Sequence, residues 1–167
     1  DELTKLWNRR VFYDVLQMEH DRFERYKSFV CLLYIDIDDF KIYNDRYGHS
    51  EGDNVLVQLA NVIRNRLRKA DIGFRLAGEE FTVLLPGTNT TDALSIAEDI
   101  RKLFESIEFR PNNREGSQVC IHKTISIGIS ELCHDVTSIE FLRMADQAMY
   151  RAKREGKNKI CLFSNSC

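Results

Sequence analysis

Phe29-Val-Cys-Leu-Leu-Tyr-Ile35, followed at once by Asp36-Ile-Asp-Asp-Phe-Lys41, contains the longest uninterrupted apolar run of the chain. Its seven residues, rich in strand formers, are too few for a helix of their own and fit a buried strand that stops at the acidic cluster. Such a strand delivers Asp36 to an edge of the fold. The same run is far shorter than the roughly 20 residues of a transmembrane helix, so no membrane span is expected.

Outward from this strand the pattern alternates between helix and strand. On the N-terminal side, Asn8 reads as an N-cap before Val11, Phe12, Val15 and Leu16, a helix that should run to about Tyr26. On the C-terminal side a polar turn, Asn44 to Asp53, leads into a helix whose apolar face is Val55, Leu56, Leu59, Val62, Ile63 and Leu67. Ile72 to Leu76 and Phe81 to Leu85 form a hairpin whose Gly-containing turn carries Glu79 and Glu80. A helix over Leu94 to Ile107 exits through the loop Pro111 to Gly116. Alternating Thr124 to Ile129 is a strand, Thr137 and Glu140 make a capping box for the next helix, and Lys159 to Phe163 fits a last strand. No repeat or linker divides the chain, so one mixed α/β layer domain with about five strands is predicted.

Composition agrees with a single packed domain. The 167 residues are 43% apolar and 30% charged, with 8 Gly and 2 Pro, which excludes a disordered or collagen-like chain. A net charge of −2 gives no global basic field, so no nucleic-acid partner is expected. No basic segment followed by an apolar stretch opens the chain, so it reads without a signal peptide. Five scattered cysteines without a CxxC pair read as reduced, buried thiols of a cytoplasmic domain.

Four groups of residues could carry chemistry, and each has a plain structural reading beside it. Asp36 at a strand end and Glu79 and Glu80 on a hairpin could converge on a hard divalent cation, or could simply be solvated. Asn44 can donate and accept, and the Asp53 carboxylate can accept two parallel hydrogen bonds from the N1–H and amino edge of guanine; equally, Asp53 suits a helix N-terminus. Cations in Tyr150 to Asn158 could clamp phosphates or stabilise a helix end before Gly156. Arg68 and Asp71 could bind a phosphate or purine edge, or form a solvated turn.

Five motifs in order give these residues a common meaning. Asp1-Glu-Leu-Thr-Lys-Leu-Trp-Asn-Arg-Arg10, Asp36 to Asp53, Ala77-Gly-Glu-Glu-Phe81, Thr124 to Gly128 and Ala145 to Asn158 together resemble the GGDEF family of diguanylate cyclases over essentially the full length. The resemblance implies a fold like that of nucleotidyl-cyclase and polymerase palm domains, a central sheet surrounded by helices. It also implies condensation of two GTP into cyclic di-GMP and pyrophosphate by a two-fold related homodimer. By position, Asp36, the carbonyl of Ile37 and Glu79 would hold two Mg²⁺ ions, with Mn²⁺ a substitute. Asn44 and Asp53 would read guanine, His49 would lie beside the substrate, and Lys41, Lys153 and Lys157 would meet the triphosphate. Glu79 or Glu80 would assist deprotonation of the ribose 3′-OH, and Gly78 would let the backbone approach the nucleotide.

The resemblance further implies product inhibition by cyclic di-GMP at Arg68 and Asp71, and a cytoplasmic output domain at the C-terminus of a longer sensory protein, whose parent could be membrane-anchored. The rival reading is a degenerate domain that binds GTP or cyclic di-GMP and signals without turnover. Two positions depart from the family pattern. Ala77 replaces the first signature glycine, a cost of about 1 kcal/mol if left-handed backbone is needed there. Lys157 stands where Arg is common and lacks its planar fork.

Overall fold

A computed structural model describes residues 1–111 and 120–163. The elements in chain order are β1 (Trp7–Asn8), α1 (Arg9–Tyr26), β2 (Val30–Ile37), α2 (Phe40–Tyr47), α3 (His49–Arg66), β3 (Ile72–Ala77), β4 (Glu80–Pro86), α4 (Thr90–Glu105), β5 (Ile125–Glu131), α5 (Ser138–Arg154) and β6 (Ile160–Leu162). The strands form one sheet in the order β1-β3-β4-β2-β5-β6.

The apolar run does become the central strand, antiparallel to both β4 and β5. All eight residues of β2 are buried, because helices cover both faces. Period-two alternation divides it: Cys31, Leu33, Ile35 and Ile37 join the core under α3 and α4, while Val30, Leu32 and Tyr34 join the core under α1 and α5. Asp36 therefore belongs to the α1/α5 face.

Local chemistry sets the helix ends as the sequence suggests. The Asn8 side chain accepts from the Val11 N–H at 3.2 Å, and Thr137 and Glu140 make the reciprocal capping box of α5. Three expectations need correction. The sheet has six strands, not about five, because the two-residue β1 pairs in parallel with Phe74 and Arg75 of β3, too short a segment to show periodicity. The polar stretch Asn44 to Asp53 is not a turn: Asn44 to Tyr47 complete the helix α2, which packs through Phe40 and Tyr43, and α3 already begins at His49. Among the cysteines, Cys31 and Cys161 are buried free thiols, but Cys120 is exposed and Cys133 is disulfide-bonded. Beyond Pro111, the loop expected to reach Gly116 lies outside the described residues, as does Cys167. Among the described residues, no helix is long and apolar enough to cross a membrane.

Candidate active site

The sheet register brings carboxylates together. Asp36 of β2 stands directly opposite Glu80 of β4 and, on its other side, opposite Ser126 of β5. Opposed residues of neighbouring strands share a face, so two like charges meet, an arrangement that is unfavourable without a cation. Lys153 of α5 supplies one, its Nζ 2.5 Å from Asp36 Oδ1. It can reach because α5 lies directly on β5: a Cβ on Gly128 would stand 2.0 Å from the carbonyl oxygen of Ala145.

The Asp36 carboxyl is raised to about 6: burial raises it most, Lys153 lowers it, and the charges of Glu79 and Glu80 raise it further. Glu80 accepts a hydrogen bond from the Tyr34 hydroxyl at 3.0 Å. Burial and the charge of Glu80 both raise the Tyr34 phenol, and the same two causes raise Asp146 on α5. Hard oxygen donors with excess negative charge suit a divalent cation of the Mg²⁺ class, and a backbone carbonyl such as that of Ile37, the last residue of the same strand, is a donor of the same kind. The residues present thus fit the cation that the resemblance implies.

A second part of the site is built by α2 and α3. Between them Gly48 takes φ +90°, which breaks one helix and starts the next. Asn44 Oδ1 is buried with no hydrogen-bond partner among the described residues, an acceptor left for something else. Lys41, His49 and Asp53 are exposed on the same two helices. The charge of Asp53 reaches Arg75, whose guanidinium burial lowers and Asp53 raises. Arg75 donates to the Gly78 carbonyl at 3.0 Å and to Asp1 Oδ1 at 3.2 Å, so the first residue of the chain is tied to the hairpin tip. Thr4 holds Asp1 as well, through its N–H at 2.8 Å and its hydroxyl at 2.7 Å.

Arg68 and Asp71 lie at the opposite end of β3 from this hairpin, a strand of roughly 20 Å at 3.3 Å per residue. The Asp71 carboxylate accepts from the Arg68 backbone N–H at 2.9 Å, which leaves the Arg68 guanidinium out of that bond. Both residues line a cavity of about 300 Å³ together with Trp7, Arg64 and Lys69.

The family model described as diguanylate cyclase, GGDEF domain, matches residues 1–159. The chain belongs to the GGDEF family. It is 35% identical to a diguanylate cyclase of Vibrio cholerae over 99% of this chain and 50% of that protein. It is 40% identical to diguanylate cyclase DgcM of Escherichia coli over 96% of this chain and 37% of that protein. The chain thus spans half or less of the length of these curated relatives. Among solved structures, the GGDEF domain of DgcB from Caulobacter crescentus in complex with c-di-GMP superimposes with a TM-score of 0.93 at 30% identity, covering 99% of this chain and 93% of that one. The sheet and its helices are those of the nucleotidyl-cyclase-like GGDEF fold.

Within the GGDEF signature the two departures now have a structural measure. Ala77 is the last residue of β3, paired with Glu80, and does not take positive φ, so its Cβ carries no left-handed penalty. Gly78 takes φ +44° at the first position of the two-residue turn, where a side chain would be strained. Lys157 has φ +61° and places its ammonium 2.6 Å from Asp39, whose carboxyl it holds below the usual range.

Several residues of the site carry no signal of their own in the sequence. Asp38, beside Asp36, is buried and accepts from the hydroxyls of Thr124 and Ser126, each at 2.7 Å, and from the Asn158 N–H at 3.0 Å. Lys123 donates to its carbonyl. Asp38 is a clasp between β5 and the loop after α5, not a member of the carboxylate cluster. The period-two spacing of Thr124 and Ser126 was the available hint, since it places both hydroxyls on one face. Arg75 and Tyr34 had no such hint, because only the register of distant strands gives them partners.

Proposed function

We propose that this GGDEF domain is an active diguanylate cyclase that condenses two GTP into one cyclic di-GMP with release of two pyrophosphates. The observation that carries this reading is the opposition of Asp36 and Glu80 on adjacent strands, with Lys153 between α5 and the sheet as their counter-charge. In this reading Asp36, Glu79 and the Ile37 carbonyl hold two divalent cations, Mg²⁺ or Mn²⁺. Bound there, the cations neutralise the triphosphate and polarise the reacting phosphoryl group.

The chain's own residues do the rest. Asn44 Oδ1 and the Asp53 carboxylate accept from the guanine N1–H and amino group, and His49 lines the same side. Lys41, Lys153 and Lys157 hold the phosphates, Lys153 and Lys157 exchanging carboxylate partners for phosphate oxygens. Gly78, without a side chain, admits the nucleotide to the hairpin backbone. Glu79 or Glu80 takes the proton of a ribose 3′-OH. The 3′ oxygen then bonds to the α-phosphorus of the GTP held by a second domain, and pyrophosphate leaves. Each domain holds one GTP, so two copies face each other across a two-fold axis. Cyclic di-GMP bound at Arg68 and Asp71, far from the hairpin, would hold the two copies in an unproductive arrangement.

The test is incubation of the dimerised protein with GTP and Mg²⁺ and identification of the product by mass. Cyclic di-GMP is expected. A folded, dimeric, Mg²⁺-binding sample that binds GTP but forms no cyclic di-GMP would assign the domain to nucleotide-binding signalling without turnover.

A further inference from the structure

Away from the carboxylate cluster, the chain after α4 meets the chain before β5 in an antiparallel bridge, Phe109 opposite Ile121, with N–H to carbonyl distances of 2.8 and 2.9 Å. Phe109 is buried and Ile121 packs beside it, so the residues flanking each of them point the other way, to solvent. Those flanking residues are Glu108 on one leg and Cys120 and His122 on the other. Their ligand atoms all lie within 4.8 Å of one another.

We propose that Glu108, Cys120 and His122 form a peripheral binding site for a borderline-soft transition-metal cation of the Zn²⁺ class. One carboxylate, one thiolate and one imidazole are a donor set such ions take readily, with water completing a tetrahedron. A hard ion such as Mg²⁺ has no use for the sulfur and prefers the oxygen cluster around Asp36, so the two sites select different cations.

A second observation concerns the orientation of the imidazole. His122 Nδ1 lies 2.9 Å from the carbonyl oxygen of Glu105, which can only accept. Nδ1 must therefore carry the proton, and the neutral ring keeps its lone pair on Nε2. An imidazole fixed by a carbonyl in this way is the arrangement found behind metal-binding histidines. Arg110, on the same face, donates to Glu108 at 2.8 Å and is the cation, among the described residues, that a metal must displace. Both partners are largely exposed, with side-chain exposures of 63% and 51%, so their ion pair is readily exchanged.

Titration of this chain with Co²⁺, a spectroscopic stand-in for Zn²⁺, in excess Mg²⁺ and a non-thiol reductant tests the site. One equivalent should bind with a thiolate-to-cobalt charge-transfer band, and Zn²⁺ should abolish the band. Cys120→Ser should remove it, His122→Ala should weaken binding tenfold or more, and Arg110→Ala should tighten it severalfold by removing the competitor. All three positions are exposed, and circular dichroism checks that each variant is folded. Absence of the band at stoichiometric Co²⁺, its survival in Cys120→Ser, or unchanged affinity in His122→Ala would overturn the proposal.

Discussion

Asn44 Oδ1 occupies the space that a Cβ on Gly52 would need: the two atoms would stand 1.8 Å apart. The glycine in α3 is thus the reason the Asn44 amide can sit inward from α2. Gly52→Ala should expel that amide. As a helix-interior substitution it would otherwise add about 0.5–1 kcal/mol of stability, so the fold should persist. Loss of a buried hydrogen bond to guanine costs about 1–3 kcal/mol, or roughly 30-fold in affinity at the middle of that range. Calorimetric titration with GTP alongside thermal melting separates the two effects; unchanged GTP affinity would remove Asn44 from base recognition.

Glu79→Gln should abolish turnover with little change in thermal midpoint. The amide keeps the shape of the side chain and removes the charge, so the defect should be electrostatic. Steady-state rates and Mg²⁺ binding check it, and turnover within tenfold of the unsubstituted chain would exclude a metal role for Glu79.

Asp53→Ser should relax the preference for GTP over ATP. Adenine presents a lone pair at N1 and has no 2-amino group, so the carboxylate discriminates against it by about 1–3 kcal/mol. Product analysis with each nucleotide measures the ratio. If the unsubstituted chain already uses both at comparable rates, Asp53 does not set selectivity.

Arg68→Ala should weaken binding of cyclic di-GMP and relieve inhibition while the initial rate stays the same. Its place at the far end of β3 from Gly78 makes competition with GTP an unsuitable explanation for any inhibition it causes. Initial rates at increasing cyclic di-GMP decide, and an identical inhibition curve would place regulation elsewhere.

Acid should weaken the ion pair that Glu98 and Arg101 make along α4. Arg101 donates to Glu98 at 2.8 Å and to Asn158 at 2.7 Å, and Asn158 in turn holds Asp38. The Arg101 hydrogen bond lowers the Glu98 carboxyl to about 2 from 4.5. A depressed carboxylate stabilises the fold above its unfolded value, and this contribution is lost as pH falls from 4.5 toward 2. Glu98 is partly exposed, so the contribution is about 1 kcal/mol or less, equivalent to about 2–4 °C in thermal midpoint. Arg101→Met should lower the midpoint by that amount at pH 7 and by less at pH 3. An equal loss at both pH values would assign the effect to packing.

Features that depend on nearby residues were legible in the sequence. The run into Asp36, the Gly78 turn and the Thr137 box are local, and their physics needs no distant partner. Helix α2 was hidden because it is only eight residues long and its second half, Asn44-Asp-Arg46, is polar and equally suits a turn. The partners of Asp38 and Arg75 were hidden for another reason. Thr124, Ser126 and Asn158 are more than 80 positions from Asp38, and Asp1 is 74 from Arg75, so only the register of the finished sheet brings them together.

Buried on both faces and hydrogen-bonded on both edges, β2 has no cheap way to open. Its amides should exchange with solvent only when the whole domain unfolds. Asp36 rides on this strand, so its carboxylate is held in place as long as the sheet itself persists. Heat inactivation should then follow the same curve as global melting, with no warmer or cooler interval in which a folded domain has forgotten its chemistry.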